Sequence, residues 1–245
     1  MAPFFWLAVE AFLKRFNFWI LVGVCAAFIV LAYFYDLFGF GEPSTLFAET
    51  YAAIALLYVL VAPLFCAADV LEWERRAGAS DLLVVRPTRA IAQVAGRVLG
   101  IVIGSLIGLA ILAAVFHITA LLGDAFVPKA AYSVVLPCSA VLFTTASLVQ
   151  LSAPRAGFVT TAAILFLLFS ASNMLAFSES TLAKRLAGII PNFHIANLQA
   201  MIAANLSPPT AMLLFCLLHH LLYGLFLCAV AVGLLRRLNE PAKKR

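Results

Sequence analysis

Six long apolar runs constrain this chain more than any other feature of its sequence. They cover residues 16–35, 49–68, 98–122, 131–152, 158–177 and 210–235. A helix that crosses the hydrocarbon layer of a bilayer needs about 20 such residues, so the pattern predicts an all-α membrane protein with six transmembrane helices. Composition agrees, because 65% of the 245 residues are hydrophobic and only 11% are charged. A soluble domain has about 25% charged residues, so a soluble enzyme, a disordered tail and a disulfide-stapled secreted domain are excluded.

The basic residues predict the orientation of these helices. If the N-terminus is cytoplasmic, thirteen of the 16 Lys and Arg residues lie inside, and only Lys129, Lys184 and Arg185 lie outside. Cytoplasmic loops of membrane proteins are enriched in Lys and Arg, so both termini are predicted to be cytoplasmic. The net charge of +5 is then a consequence of topology, and we do not expect nucleic acid to bind. The basic C-terminal tail is placed to contact anionic membrane lipid.

Three stretches outside the apolar runs are long enough to form structure of their own. Residues 1–15 combine apolar and charged positions and predict an amphipathic helix in the membrane interface. Residues 69–97 form a cytoplasmic segment, and residues 178–209 form an outer segment with apolar residues at helical spacing. Pro191 divides the outer segment, which predicts two short re-entrant helices in the outer leaflet. The chain 1–245 is thus predicted to be a single transmembrane domain.

The cytoplasmic segment 69–97 has the most informative sequence. Leu82 and Leu83 form an apolar ridge, and Pro87 ends the helix that carries them. Charged residues flank this ridge: Glu74, Arg75, Arg76, Asp81 and Arg89. An apolar ridge on a cytoplasmic helix needs a surface that covers it, and this surface is either the bilayer or a partner protein.

A resemblance to a known family follows from the residue order in this segment. The order is Glu74–x3–Gly78, then Leu82–Leu83, then Pro87–x–Arg89, between the second and third apolar runs. It resembles the permeases of the type-2 ABC transporter family, and the shared plan covers nearly the whole chain. That plan has an N-terminal interfacial helix, six spans, a cytoplasmic coupling helix after the second span and re-entrant helices before the sixth. The resemblance implies that this segment, with Arg75, Arg76 and Asp81 flanking the ridge, docks into a groove of a cytoplasmic ABC ATPase.

The resemblance also implies a set of partners. ATP and Mg²⁺ are expected on the separate ATPase chain, because this chain has no GxxxxGK[S/T] phosphate-binding loop; no cofactor is expected here. A second copy of the chain, or a homologous permease, is expected to complete the pathway in the inner or plasma membrane of a bacterium or archaeon. The family leans towards export. The sequence leaves open the substrate, the direction of transport and the choice between homodimer and heterodimer.

A row of glycines marks the third apolar run. Its members recur every fourth residue: Gly96, Gly100, Gly104 and Gly108. Such a row lines one face of a helix and lets a neighbouring backbone approach closely. It therefore predicts close helix packing, either within the chain or at a dimer seam.

Polar residues inside the apolar runs are scarce and are expected to face protein or water. Thr144, Thr145, Ser170 and Asn173 are predicted to line a translocation pathway. The alternative is that the hydroxyl groups bond to carbonyls of their own helix. Asn173 is the strongest candidate, because an amide is harder to satisfy in this way.

An intramembrane enzyme and an ATP-independent channel or scaffold are the alternative functions. The sequence has no GxSxG motif and no Asp or Glu deep in an apolar run, which such an enzyme would need. His219 and His220 are adjacent in the last run, so they point about 100° apart on a helix and cannot readily bind one metal together. No catalytic residue and no metal site are predicted.

Overall fold

The computed structural model describes residues 2–14, 16–39, 45–76, 89–125, 127–133, 158–176 and 199–239, together with residues 142, 180–182 and 185. Across these ranges the chain is helical and contains no strand. We number the helices of the described part in chain order: α1 (Ala2–Leu13), α2 (Phe16–Phe38), α3 (Leu46–Arg76), α4 (Ala90–Leu122), α5 (Lys129–Ser133), α6 (Phe158–Ala176), α7 (Gln199–Ala203) and α8 (Thr210–Asn239).

Four of these helices are long and apolar enough to cross a membrane. They are α2, the Leu46–Ala67 part of α3, α4, and the Thr210–Leu235 part of α8. They confirm the first, second, third and sixth predicted runs as helices of sufficient length. The fifth run is helical as α6, which contains the shorter apolar stretch Ala163–Ser172. The fourth run, 131–152, falls almost entirely outside the described residues.

Helices α3 and α4 are longer than a membrane crossing requires. They contain 31 and 33 residues, which correspond to about 46 and 50 Å at the rise of an α-helix, against a hydrocarbon layer of about 30 Å. They run antiparallel, because Phe47 of α3 stacks on Phe116 of α4 while Cys66 meets Ser105. Residues 69–76 of α3 and 90–97 of α4 therefore lie in the predicted segment 69–97. We call this end of the helix pair the basic end.

Helix α1 packs against α4 and α3 rather than standing apart from the bundle. Its residues Phe4, Ala8 and Val9 are buried, whereas Trp6 is exposed. The indole N–H of Trp19 donates to the carbonyl oxygen of Leu13 at 3.0 Å, which ties the end of α1 to α2. Phe4 and Ala8, which belong to the apolar face that the sequence predicts for this helix, are thus covered by protein in the structure.

The opposite end of the helix pair is joined by aromatic rings. The ring centroids of Tyr51 and Phe116 are 4.1 Å apart, those of Phe47 and Phe116 are 4.7 Å apart, and those of Tyr33 and Phe47 are 5.7 Å apart. We call these four residues the aromatic stack. Because Tyr33 belongs to α2, the stack connects α2, α3 and α4 at one level.

Helices α2 and α8 expose large apolar side chains over much of their length. Those of α2 include Phe28, Leu31 and Phe34, and those of α8 include Leu218, Leu222, Leu225 and Phe226. A soluble monomer rarely exposes apolar patches of this size. These surfaces are typical of helices that face lipid.

Candidate functional site

The predicted coupling residues occupy the connection between α3 and α4. Glu74, Arg75 and Arg76 form the last turn of α3. Arg89 immediately precedes α4, with extended backbone dihedrals (φ −61°, ψ 130°) and an exposed side chain. The other members lie outside the described residues: Gly78, Asp81, Leu82, Leu83 and Pro87. The structure therefore shows the two helices that the segment joins, and the contacts of the segment itself stay a prediction.

Two buried polar residues lie at the basic end, and the sequence analysis did not single them out. Gln93 is 3% exposed and Arg97 is 8% exposed. The guanidinium of Arg97 lies over the ring of Phe4, with its Cζ 5.8 Å from the ring centroid, which is the geometry of a cation–π contact. Arg97 thereby links α4 to α1. The sequence spacing could have identified both residues, because Gln93 and Arg97 lie on the same face of α4 as the glycine row, nearer the start of the helix.

The glycine row of α4 is buried, and its two ends face different helices. A Cβ atom at Gly100 would collide with the Cβ of Ala8 and lie 3.1 Å from the backbone oxygen of Phe5. A Cβ atom at Gly108 would lie 2.7 Å from Cζ of Tyr58 and 2.9 Å from Cε2 of Phe18. Close packing at Gly100 and Gly108 is thus made within the chain, by α1 at one position and by α3 and α2 at the other. Gly96 and Gly104 are buried on the same helix.

A small polar cluster fastens the middle of α3 to α4. The hydroxyl of Tyr58 donates to the backbone oxygen of Ser105 at 3.2 Å. The Sγ of Cys66 lies 3.9 Å from the Oγ of Ser105, within the range of a weak hydrogen bond to sulfur. All three side chains are buried. We call Tyr58, Cys66 and Ser105 the α3–α4 clasp; it holds two helices together and has no charged group that could activate a nucleophile.

The predicted translocation residues are only partly described. Ser170 is half-buried on α6, and Asn173 lies one turn further along the same helix. Thr144 and Thr145 lie outside the described residues. Helix α6 packs on α3, where Leu165 and Leu64 form a small buried cluster. A pathway surface shared by the four polar residues therefore stays a prediction.

The buried cysteine and histidine of α8 do not form a nucleophile and base. Nδ1 of His220 lies 2.8 Å from the backbone oxygen of Cys216 and 3.5 Å from its Sγ. A carbonyl oxygen only accepts hydrogen bonds, so Nδ1 carries the hydrogen and cannot take the proton of the thiol. Among the described residues, no three His, Cys, Asp or Glu side chains come together as a metal site.

A cavity of about 430 Å³ opens at the end of α4 that lies away from the basic end. It is lined by His117, Ala120, Leu121, Asp124, Ala125 and Val127. Asp124 has a positive φ of 51°, but it follows the last turn of α4, where the N–H of Ala125 bonds to the oxygen of Ala120 at 3.0 Å. This is the geometry of a normal helix end, so the strained φ marks the end of α4 and does not indicate a ligand.

Neither protein-family models, nor curated proteins, nor solved structures show a match to this chain. Its class therefore follows from its own helices: in its described part it is all-helical, with four helices long and apolar enough to cross a membrane. Its function has to be inferred from the sequence of the segment between α3 and α4 and from the geometry on either side.

Proposed function

We propose that the chain is the membrane-spanning permease subunit of an ATP-driven transporter that resembles the type-2 ABC family. In this proposal six helices span the membrane and both termini are cytoplasmic. Two copies, or one copy and a homologous permease, surround a central pathway, and a separate ATPase chain binds ATP and Mg²⁺. The transporter works as an exporter, and Thr144, Thr145, Ser170 and Asn173 line its pathway.

One observation carries the proposal. The motif residues from Glu74 to Arg89 connect two helices that continue without a break into apolar spans. Force applied to this connection would therefore act on two long helices directly, with no flexible linker between the connection and the spans. A coupling segment needs this arrangement, whereas an enzyme or a scaffold does not.

The packing at the basic end supports the same function. Helix α1 covers the start of α4: Ala8 packs closely against Gly100, and the ring of Phe4 lies beneath the guanidinium of Arg97. It thereby joins α3 and α4 where the motif residues enter and leave the bundle. When two ATPase chains close on ATP, the basic end would move. The conformations of the permease must differ in their contacts with the ATPase, because otherwise ATP could not favour one of them and no transport would result.

The test is purification of the complex from its native membrane in mild detergent. We expect an ATPase chain that contains a GxxxxGK[S/T] loop to co-purify in equal amount with the permease, and we expect the complex to hydrolyse ATP while the permease alone does not. A stable monomer that neither binds such a chain nor supports ATP hydrolysis would contradict the proposal and favour the enzyme or channel alternatives.

The topology of the proposal has its own prediction. In a chain whose five native cysteines are replaced, an impermeant thiol reagent added to intact cells should label Pro43→Cys and Lys184→Cys. Ser80→Cys and Pro241→Cys should react only after the cells are permeabilised, because both are predicted to be cytoplasmic. Labelling of Ser80→Cys on intact cells would overturn the orientation and, with it, the contact with a cytoplasmic ATPase.

A further inference from the structure

Helix α3 has a weak point in its middle at the buried residue Pro63. Proline has no backbone N–H, so the carbonyl of Val59 lacks its usual donor within the helix. The helix nevertheless runs continuously from Leu46 to Arg76. A helix that transmits motion along its length would lose part of that motion by bending at such a point, unless a neighbour holds it straight.

The α3–α4 clasp holds α3 on both sides of this proline. Tyr58 precedes Pro63 and Cys66 follows it, yet both reach Ser105 of α4, one through its backbone oxygen and the other through its hydroxyl. A single residue of α4 thus contacts the turns of α3 before and after the weak point. Helix α4 contains no proline between Ala90 and Leu122, so it can act as the continuous support.

Contacts at both ends of the helix pair complete this support. At the basic end, α1 packs on both α3 and α4. At the other end, Tyr51 stacks on Phe116 with an angle of 11° between the ring planes. The tight fit of Tyr58 against Gly108 adds a further contact close to the clasp.

We propose that Tyr58, Cys66 and Ser105 splint α3 at Pro63 against α4, so that the two helices move as one rigid unit between the basic end and the aromatic stack. The source of the motion rests on the proposed function, whereas the splint itself is a property of this chain alone. Tyr58 and Ser105 are then positioning residues: they are buried between α3 and α4 and act through the rigidity of α3.

The first test ties the two helices covalently. Ser105→Cys places a second thiol opposite the native Cys66 and keeps the backbone oxygen that Tyr58 uses. Oxidation should form a disulfide between Cys66 and the introduced thiol in the purified permease and raise its melting temperature by about 4 °C or more. In the ATPase complex, the tied protein should keep at least half of its rate of ATP hydrolysis. The matched control is Ser105→Cys with Cys66→Ala, which cannot form the tie.

Two outcomes of this test would overturn the splint. Failure of the disulfide to form would contradict the close approach of Cys66 and Ser105. Loss of ATP hydrolysis that is restored by a reductant would show that α3 and α4 must move relative to each other.

The second test separates the splint from a general packing role. A bimane fluorophore on Leu46→Cys, an exposed position at the far end of α3, reports motion that arrives there when ATP is added. Tyr58→Phe should lower this ATP-dependent signal by about threefold, while ATP hydrolysis changes less than twofold. Adding Pro63→Ala to Tyr58→Phe should restore most of the signal, because it removes the weak point that needs the splint. An unchanged signal in Tyr58→Phe, or no rescue by Pro63→Ala, would contradict the proposal.

The two proposals fail in different ways. Disulfide formation and the melting temperature are measured on the permease alone, so the contact between Cys66 and Ser105 on which the splint depends can be tested even if no ATPase binds. If the ATPase binds and hydrolyses ATP but the tie blocks hydrolysis, the proposed function stands and the rigid unit is wrong.

Discussion

Gly108→Ala will destabilise the folded protein, although it adds a single methyl group. That methyl would lie 2.7 Å from Cζ of Tyr58 and 2.9 Å from Cε2 of Phe18, and closer still to the Tyr58 hydroxyl. Both rings are buried in the core, so neither can move aside without displacing a helix. Overpacking of this kind costs about 1–3 kcal/mol, which lowers the melting temperature of a chain of this size by about 3–10 °C. Gly108→Leu should leave little folded protein.

Matched glycines in other apolar helices provide the control. Gly23 of α2 and Gly233 of α8 have no atom within 4 Å of the position that a Cβ would occupy. Gly23→Ala and Gly233→Ala should therefore be neutral, or slightly stabilising because alanine favours helix more than glycine does. Thermal melting of the three purified variants checks this, and equal melting temperatures for Gly108→Ala and Gly23→Ala would contradict the packing.

A double variant identifies the clashing group. Tyr58→Phe removes the closest atom to the new methyl group, although it also gives up the hydrogen bond to Ser105. It should therefore destabilise the parent chain but recover part of the stability that Gly108→Ala loses. An effect of Tyr58→Phe on stability that is opposite in the parent chain and in the Gly108→Ala variant would indicate that the two residues are in direct contact.

The apolar runs predicted the existence of these helices well, but they predicted the ends of the helices less accurately. The first run was predicted to end at residue 35 and the third to begin at residue 98, whereas α2 continues to Phe38 and α4 begins at Ala90. Hydropathy reports contact with lipid, but a helix keeps its backbone hydrogen bonds beyond the membrane. Gln93 and Arg97 precede the apolar run, yet both belong to α4, because polar residues such as Gln and Arg continue a helix readily, and both are buried.

The sequence indicated a packing face on α4 but not the partners of that face. The spacing of the glycines was sufficient to place Gly100 and Gly108 on one side of a helix. That α1 would cover Gly100, and that Tyr58 would fill the space at Gly108, depends on how the helices are arranged in three dimensions. The clasp could not be predicted for a related reason. Tyr58, Cys66 and Ser105 each lie within an apolar run, and their contacts with one another exist only because α3 and α4 pack side by side.

The largest functional effect is expected from the leucine pair of the connecting segment. Leu82→Asp combined with Leu83→Asp should abolish co-purification of the ATPase and leave the amount of permease in the membrane unchanged. Burial of two leucines at an interface contributes about 3–5 kcal/mol before the costs of association. Its loss corresponds to an affinity that is about 100-fold to 1,000-fold or more weaker. Quantitative mass spectrometry of the detergent-purified complex measures the ratio of the two chains.

Another leucine pair in the chain serves as the matched control. Leu121 and Leu122 are adjacent at the opposite end of α4, and they are 82% and 85% exposed. The same double change to aspartate at these positions should leave the ATPase bound, because the predicted docking segment lies at the basic end. Release of the ATPase by both double variants would indicate a general loss of structure and not a docking site.

A charge reversal beside the leucine ridge distinguishes docking from membrane contact. Arg89 is exposed at the start of α4, and an exposed ion pair contributes about 0–1 kcal/mol. Arg89→Glu should therefore retain part of the complex and mainly reduce ATP hydrolysis through misalignment. If the ridge instead lies flat on the bilayer, the leucine changes would release the segment from the membrane and leave any ATPase bound. Full retention of the ATPase by the Leu82→Asp, Leu83→Asp variant would contradict the coupling function, since that function is inferred from the motif that contains these two leucines.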